Sequence, residues 1–205
     1  MGLSQCEDSR VSVTGLWLVG ALCGLALLIQ LAGNAAQSAL RFERQSIVAG
    51  DLWRLLSGHL VHLGWTHLLL NLAGLALVWA LVGSVYSGLV WILVTFAVVF
   101  AVDAGLWLLN PGLEWYVGLS GVLHGLLVAG LIGLISAGAS RRNEAIALVV
   151  LLLLKLGYEQ IAGAMPGSGS LAGGAVVVDA HLYGALGGLC AALVVYLITH
   201  RPHIH

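Results

Sequence analysis

The chain has 205 residues, 60% of them hydrophobic and 8% charged, with a formal net charge of −1. Soluble domains carry about 25% charged residues, so a water-soluble globular domain is excluded. The near-zero net charge offers no basic surface for nucleic acid, and three scattered cysteines, Cys6, Cys23 and Cys190, give neither a disulfide framework nor a metal spacing.

A helix needs about 20 apolar residues to cross the hydrocarbon core. The apolar runs therefore predict an all-α membrane protein of about six spans, read as a single transmembrane domain over residues 1–205. The first predicted helix covers 12–33. Glu7 and Asp8 before it outnumber Arg10, unlike the positive start of a signal peptide, so the helix is read as retained; alanines within 32–36 leave cleavage open. A mixed segment at 34–64 follows, too long for a structureless loop. It is expected to hold short interfacial helices, with Leu52, Trp53, Leu55 and Leu56 beside Asp51 and Arg54 forming an amphipathic stretch. Arg54 is read as a brace for this first loop.

The second helix is predicted at 65–82 and the third at 88–108, ended by Asn110-Pro111-Gly112. The fourth covers 119–137 and the fifth 145–162. Residues 163–176, rich in Gly, Ala, Ser and Pro, read as a mobile loop, and the sixth helix covers 178–198. Arg141 and Arg142 form the clearest orientation marker, because short basic loops face the cytoplasm. Arg10, Arg201 and both termini then lie on the cytoplasmic side. The first loop and the starts of the fourth and sixth helices face outward.

Polar groups collect at those outward helix starts. The second helix offers His67 and Asn71, the fourth Ser120 and His124, each pair spaced i,i+4 and so on one face. The sixth offers His181, with Gly184 and Gly188 following. Buried polar groups in lipid are costly and point to function. A serine hydroxyl becomes nucleophilic when a base takes its proton, and His181 is the candidate base for Ser120. Glycines 121 and 125 on one helix and 184 and 188 on the other would let the two backbones approach closely. The Ser120 amide, His67 and Asn71 are candidate donors to an oxyanion. Asp179 and Asp103 are not aimed at His181 by their spacing, so a Ser–His dyad is expected. The chemistry is acyl transfer, most simply peptide hydrolysis, with no cofactor.

These residues resemble the rhomboid intramembrane serine proteases. Trp53-Arg54 is similar to the Trp-Arg pair of the rhomboid first loop. His62, His67 and Asn71 follow the family's His-x4-His-x3-Asn pattern. Gly118-Leu119-Ser120-Gly121 is similar to its Gly-x-Ser-Gly motif, and Ala180-His181-x-x-Gly184-x-x-x-Gly188 to its last-helix motif. The resemblance covers residues 50–195. It implies a six-helix rhomboid bundle, Ser120 as nucleophile, His181 as base, and His67, Asn71 and the Ser120 amide as the oxyanion site. It also implies lateral substrate access near the fifth helix, under a cap formed by 163–176. Two departures stand out: His124 occupies the position where many rhomboids have tyrosine, and Gly83 and Ser84 lie where many have glutamate.

The run Gly118 to Gly125 looks most like the rhombosortase subfamily. That likeness implies a bacterial inner-membrane enzyme opening to the periplasm, whose partners are the bilayer and single-pass proteins with a C-terminal Gly-Gly anchor. Gly118 and His124 are accessory candidates. For His124 three readings stay open: stacking on His181, tuning it, or satisfying a backbone carbonyl. His62 reads as a structural loop histidine, His59 is unassigned, and His200, His203 and His205 read as solvated tail residues. Lys155 and Glu159, one turn apart, are expected to form an ion pair. The rival classes are a metal- or haem-binding or transport protein built on the histidines, and an inactive rhomboid-like binding protein. Against a metal, the sequence shows no carboxylate cluster beside the histidines; against inactivity stand Ser120 and His181 themselves.

Overall fold

The structure, a computed structural model, describes residues 12–138 and 140–199. The orientation markers Arg10 and Arg201, the acidic residues Glu7 and Asp8, Cys6 and the tail histidines lie outside the described residues.

Among the described residues, five helices are long and apolar enough to cross a membrane: α1 (Val13–Leu31), α5 (Trp65–Val82), α6 (Gly88–Leu109), α8 (Arg142–Ala162) and α10 (Val178–Thr199). Between α1 and α5 lie the short helices α2 (Gly33–Leu40), α3 (Arg44–Val48) and α4 (Arg54–Ser57), then a 3-10 turn at Gly58–Leu60. A sixth apolar helix, α7 (Ser120–Ser136), has 17 residues, about 26 Å at 1.5 Å per residue. Buried residues recur all round it, from Gly121, Val122 and Leu123 to Ala129, Gly130 and Leu131. An apolar helix of that kind belongs inside a bundle, and α7 packs against α5, α6, α8 and α10.

The helix boundaries have local causes. Ser12 caps α1 by accepting from the Gly15 amide at 3.0 Å, and Ser87 caps α6 through the Val90 amide. The far end of α6 is closed from a distance. The Arg44 guanidinium donates to the carbonyls of Leu106, Trp107, Asn110 and Leu113 and lies over the Trp107 ring, 4.5 Å from its centroid. That satisfies the carbonyls a helix end leaves open.

Two features differ from the sequence reading. The all-α expectation misses a small antiparallel sheet, β1 (Phe42–Glu43) paired with β2 (Trp115–Tyr116) in the register Phe42↔Tyr116 and Glu43↔Trp115. Two-residue strands carry no readable periodicity; this pair forms because Arg44 draws its segment onto the 106–113 turn. The 163–176 stretch, expected to be loop throughout, contains α9 (Ser168–Ala172), bracketed by Gly167 and Gly173 at φ +81° and +78°. Those left-handed positions favour glycine at both ends of so short a helix.

Within the segment between α1 and α5, Arg54 is buried and donates to the carbonyls of Ser38 and Arg41 and to the Asp51 carboxylate. It ties α2 and α4 together, in keeping with the brace expected of it. Leu52, Trp53 and Leu56 beside it stay exposed.

α7 and α10 lie in backbone contact. A Cβ added at Gly184 would overlap the Gly121 carbonyl, and one at Gly188 the Gly125 carbonyl. This close approach sets the first turn of α7 beside the first turn of α10.

Candidate active site

Ser120 and His181 meet across that glycine seam. His181 Nε2 lies 2.9 Å from Ser120 Oγ, the distance at which an imidazole can take a hydroxyl proton. His181 is buried, whereas Ser120 is half-buried and opens onto a cavity of about 360 Å³. His67, Trp115, Tyr116, Ala172 and Val176 also line the cavity, so α5, β2 and the segment after α9 share in forming it.

The approach to Ser120 is shaped by Gly118. Its φ of +121° suits glycine, and a Cβ there would lie 3.0 Å from His67 Cε1 and 3.1 Å from Nε2. Its amide donates to the Gly58 carbonyl, and its carbonyl accepts from the Tyr116 hydroxyl at 2.8 Å. The loop before the serine is thus held from both sides while His67 comes up against it.

The His67 tautomer follows from its neighbour. The Leu63 amide donates to His67 Nδ1 at 3.3 Å, which leaves the ring hydrogen on Nε2, beside Gly118. His62 stands edge-on to this ring, with centroids 4.9 Å apart, and its Nδ1 donates to the Leu60 carbonyl. Burial, with the His67 ring close by, pushes His62 down to about 4, so it is neutral at pH 7. Asn71 is buried one turn below His67 and donates its side-chain amide to the His67 carbonyl at 3.1 Å. It is not among the residues lining the cavity, so of the two predicted donors on α5, His67 is the one presented to it.

Three other groups occupy the rear of the site. His124 stacks on His181 with centroids 4.3 Å apart and planes 17° apart, and its Nδ1 lies 2.7 Å from the Ser120 carbonyl oxygen. Two of its open readings, stacking and carbonyl satisfaction, thus occur together. Lys155 and Glu159 form the expected ion pair at 2.7 Å. Sequence reasoning missed where that pair points: Glu159 Oε2 lies 3.0 Å from His181 Nδ1. The expected dyad therefore has a carboxylate behind it. The signal was a lysine within the span, where a charge costs roughly 2.5–3.5 kcal/mol, and a glutamate one turn on, near the end of α8; reading them as mutually sufficient hid their target. Asp103 is engaged with His59 at 3.2 Å and Asp179 accepts from Asn110, so neither serves His181.

This arrangement also corrects an argument made from sequence. Carboxylate is present beside the histidines: His124, Glu159 and His181 offer three ligand atoms within 4.8 Å of one another. Lys155 Nζ lies 2.7 Å from His124 Nε2, 2.7 Å from Glu159 Oε2 and 3.1 Å from His181 Nδ1. An ammonium already fills the place a metal ion would take.

The geometry presents a hydroxyl and an N–H donor at one cavity among apolar helices, with an imidazole bonded to that hydroxyl from behind. No curated protein matches the chain. The model of the rhomboid domain matches residues 49–198, which span the loop before α5 through almost all of α10. With its apolar helices, this multi-pass integral membrane protein belongs to the rhomboid family, a family of intramembrane proteases.

Proposed function

We propose that the protein is an intramembrane serine endopeptidase in which Ser120 is the nucleophile and His181 the general base. The observation that carries this reading is the 2.9 Å contact between His181 Nε2 and Ser120 Oγ at the cavity wall. In the reaction, Nε2 takes the hydroxyl proton as Oγ attacks the substrate carbonyl. The oxyanion forms against the Ser120 amide and His67 Nε2–H, with Asn71 holding the backbone of His67 from below. His181 then passes its proton to the departing amine, and the C–N bond breaks to leave an acyl-enzyme. Water, deprotonated by the same nitrogen, releases the acid and restores the hydroxyl.

In this reading α7 is a sixth span, short because it is enclosed by its neighbours. The loop carrying Arg141 and Arg142 faces the cytoplasm, where both termini also lie. The site opens to the periplasmic side of a bacterial inner membrane. The substrates are single-pass proteins with a C-terminal Gly-Gly anchor, because residues 118–125 follow the rhombosortase pattern. Small residues at the scissile bond suit a cavity of about 360 Å³ flanked by Trp115 and Tyr116.

The test is cleavage of a single-span reporter with a Gly-Gly anchor, co-reconstituted with the protein in liposomes. Wild type is expected to cleave it, and Ser120→Ala and His181→Ala to leave it intact while remaining folded. Uncleaved reporter with wild type would favour a binding protein instead. Equal cleavage of a reporter with an unrelated anchor would defeat the substrate assignment but not the protease.

A further inference from the structure

Two charged side chains on α8 remain unused by a two-residue mechanism. A lysine and a glutamate satisfying only each other could stand anywhere along α8. Here both turn toward the reacting pair. Glu159 is only 3% exposed, and one oxygen, Oε2, lies 3.0 Å from His181 Nδ1 and 2.7 Å from Lys155 Nζ. Lys155 reaches on to His124 Nε2 at 2.7 Å, and His124 closes the ring by stacking on His181 and bonding the Ser120 carbonyl.

Counting donors and acceptors fixes the protons. A carbonyl only accepts, so His124 Nδ1 carries the hydrogen toward Ser120. Its Nε2 is then the acceptor for the Lys155 ammonium, which has three donors and no acceptor. Both nitrogens of His124 are spent, so it does not compete as a base for Ser120. His181 must leave Nε2 free for the serine proton. Its hydrogen therefore sits on Nδ1, and the Glu159 carboxylate accepts it. The ammonium 3.1 Å from Nδ1 is then a neighbouring charge, not a bonding partner.

We propose that Glu159 is a positioning residue that holds His181 in the tautomer able to accept the Ser120 proton and stabilises the imidazolium that results, with Lys155 balancing that carboxylate. The inference rests on the reading of Ser120 and His181 as nucleophile and base. The two charges act on the imidazolium with opposite sign: Glu159 favours it and Lys155 disfavours it. Other ionisable groups nearby are engaged elsewhere. Asp103 on α6 holds His59, Asp179 and Tyr183 on α10 hold Asn110, and the Tyr116 hydroxyl, although it borders the Ser120 side chain, gives its hydrogen to the Gly118 carbonyl.

The experiment measures the rate at which an alkyl fluorophosphonate probe labels Ser120 in the detergent-solubilised full chain, from about pH 5 to about pH 9, around the range in which imidazole titrates. Glu159→Gln is expected to slow labelling by at least tenfold, within the roughly 10,000-fold cost of losing the orienting carboxylate in soluble triads, and Glu159→Asp to recover part of the rate. The acid limb of the profile should move to lower pH in Glu159→Gln and to higher pH in Lys155→Met. A merely structural role predicts no such opposed displacement. If Glu159→Gln does not purify as a folded protein, Lys155→Met decides alone: an upward move supports the proposal and an unmoved limb overturns it. Wild-type rates and limbs in both variants overturn this inference alone. An unlabelled wild-type Ser120 overturns the nucleophile reading and this inference with it.

Discussion

Ser120 draws its partners from four helices. α10 brings His181 to its hydroxyl, α5 brings His67 to the loop before it, α8 brings Glu159 behind the imidazole, and its own helix supplies His124. His67 is held in one tautomer by the Leu63 amide, so its Nε2–H is presented at the cavity without reorganisation. Such preorganised donors act mainly on the transition state. His67→Ala is therefore expected to lower kcat by roughly 100- to 1,000-fold with little change in KM. Steady-state cleavage of the reporter separates the two constants, and a loss carried wholly by KM would contradict the oxyanion role. Ser120, His181 and His67 were legible in the sequence as candidates because each is a polar group at the start of an apolar helix. Glu159 was not, because Lys155 four residues earlier supplies a sufficient local partner and the sequence does not say which way α8 turns.

At the scale of elements, the site depends on how closely α7 and α10 approach. Gly184 and Gly188 face the carbonyls of Gly121 and Gly125 with no room for a Cβ, and backbone cannot yield as a side-chain tip would. Gly188→Ala lies two turns from the chemistry along α10 from His181, yet it must wedge the helices apart. It is expected to lower stability by about 1–3 kcal/mol, the usual cost of overpacking, and to reduce cleavage as the Ser120–His181 contact opens. Gly24→Ala in α1, where nothing lies within 4 Å, is the matched control and should be neutral or slightly stabilising. Thermal unfolding in detergent, measured with activity, checks both, and equal behaviour of the two variants would contradict the seam. The long helices were readable to within about three residues at either end because apolar length in a bilayer is itself the signal. The β1–β2 pair and α9 were not, since elements of two to five residues form where tertiary contacts such as those of Arg44 and the paired glycines at 167 and 173 allow.

At the scale of the whole molecule, α7 is enclosed by its neighbours, whereas α1 and α8 are mostly left unburied by the rest of the chain. In the proposed mechanism the nucleophile therefore sits on an enclosed helix, which keeps the Ser120 hydroxyl and the His181 imidazole in register at 2.9 Å. In that mechanism Ser120 is a nucleophile activated by His181, its general base, across the α7–α10 seam. The most direct measurement is to treat the purified protein with a fluorophosphonate probe and map the modified residue by mass spectrometry. The account predicts one adduct, on Ser120, absent from Ser120→Ala and lost in His181→Ala although that variant retains the serine. Modification of another residue, or undiminished labelling of Ser120 in His181→Ala, would contradict it.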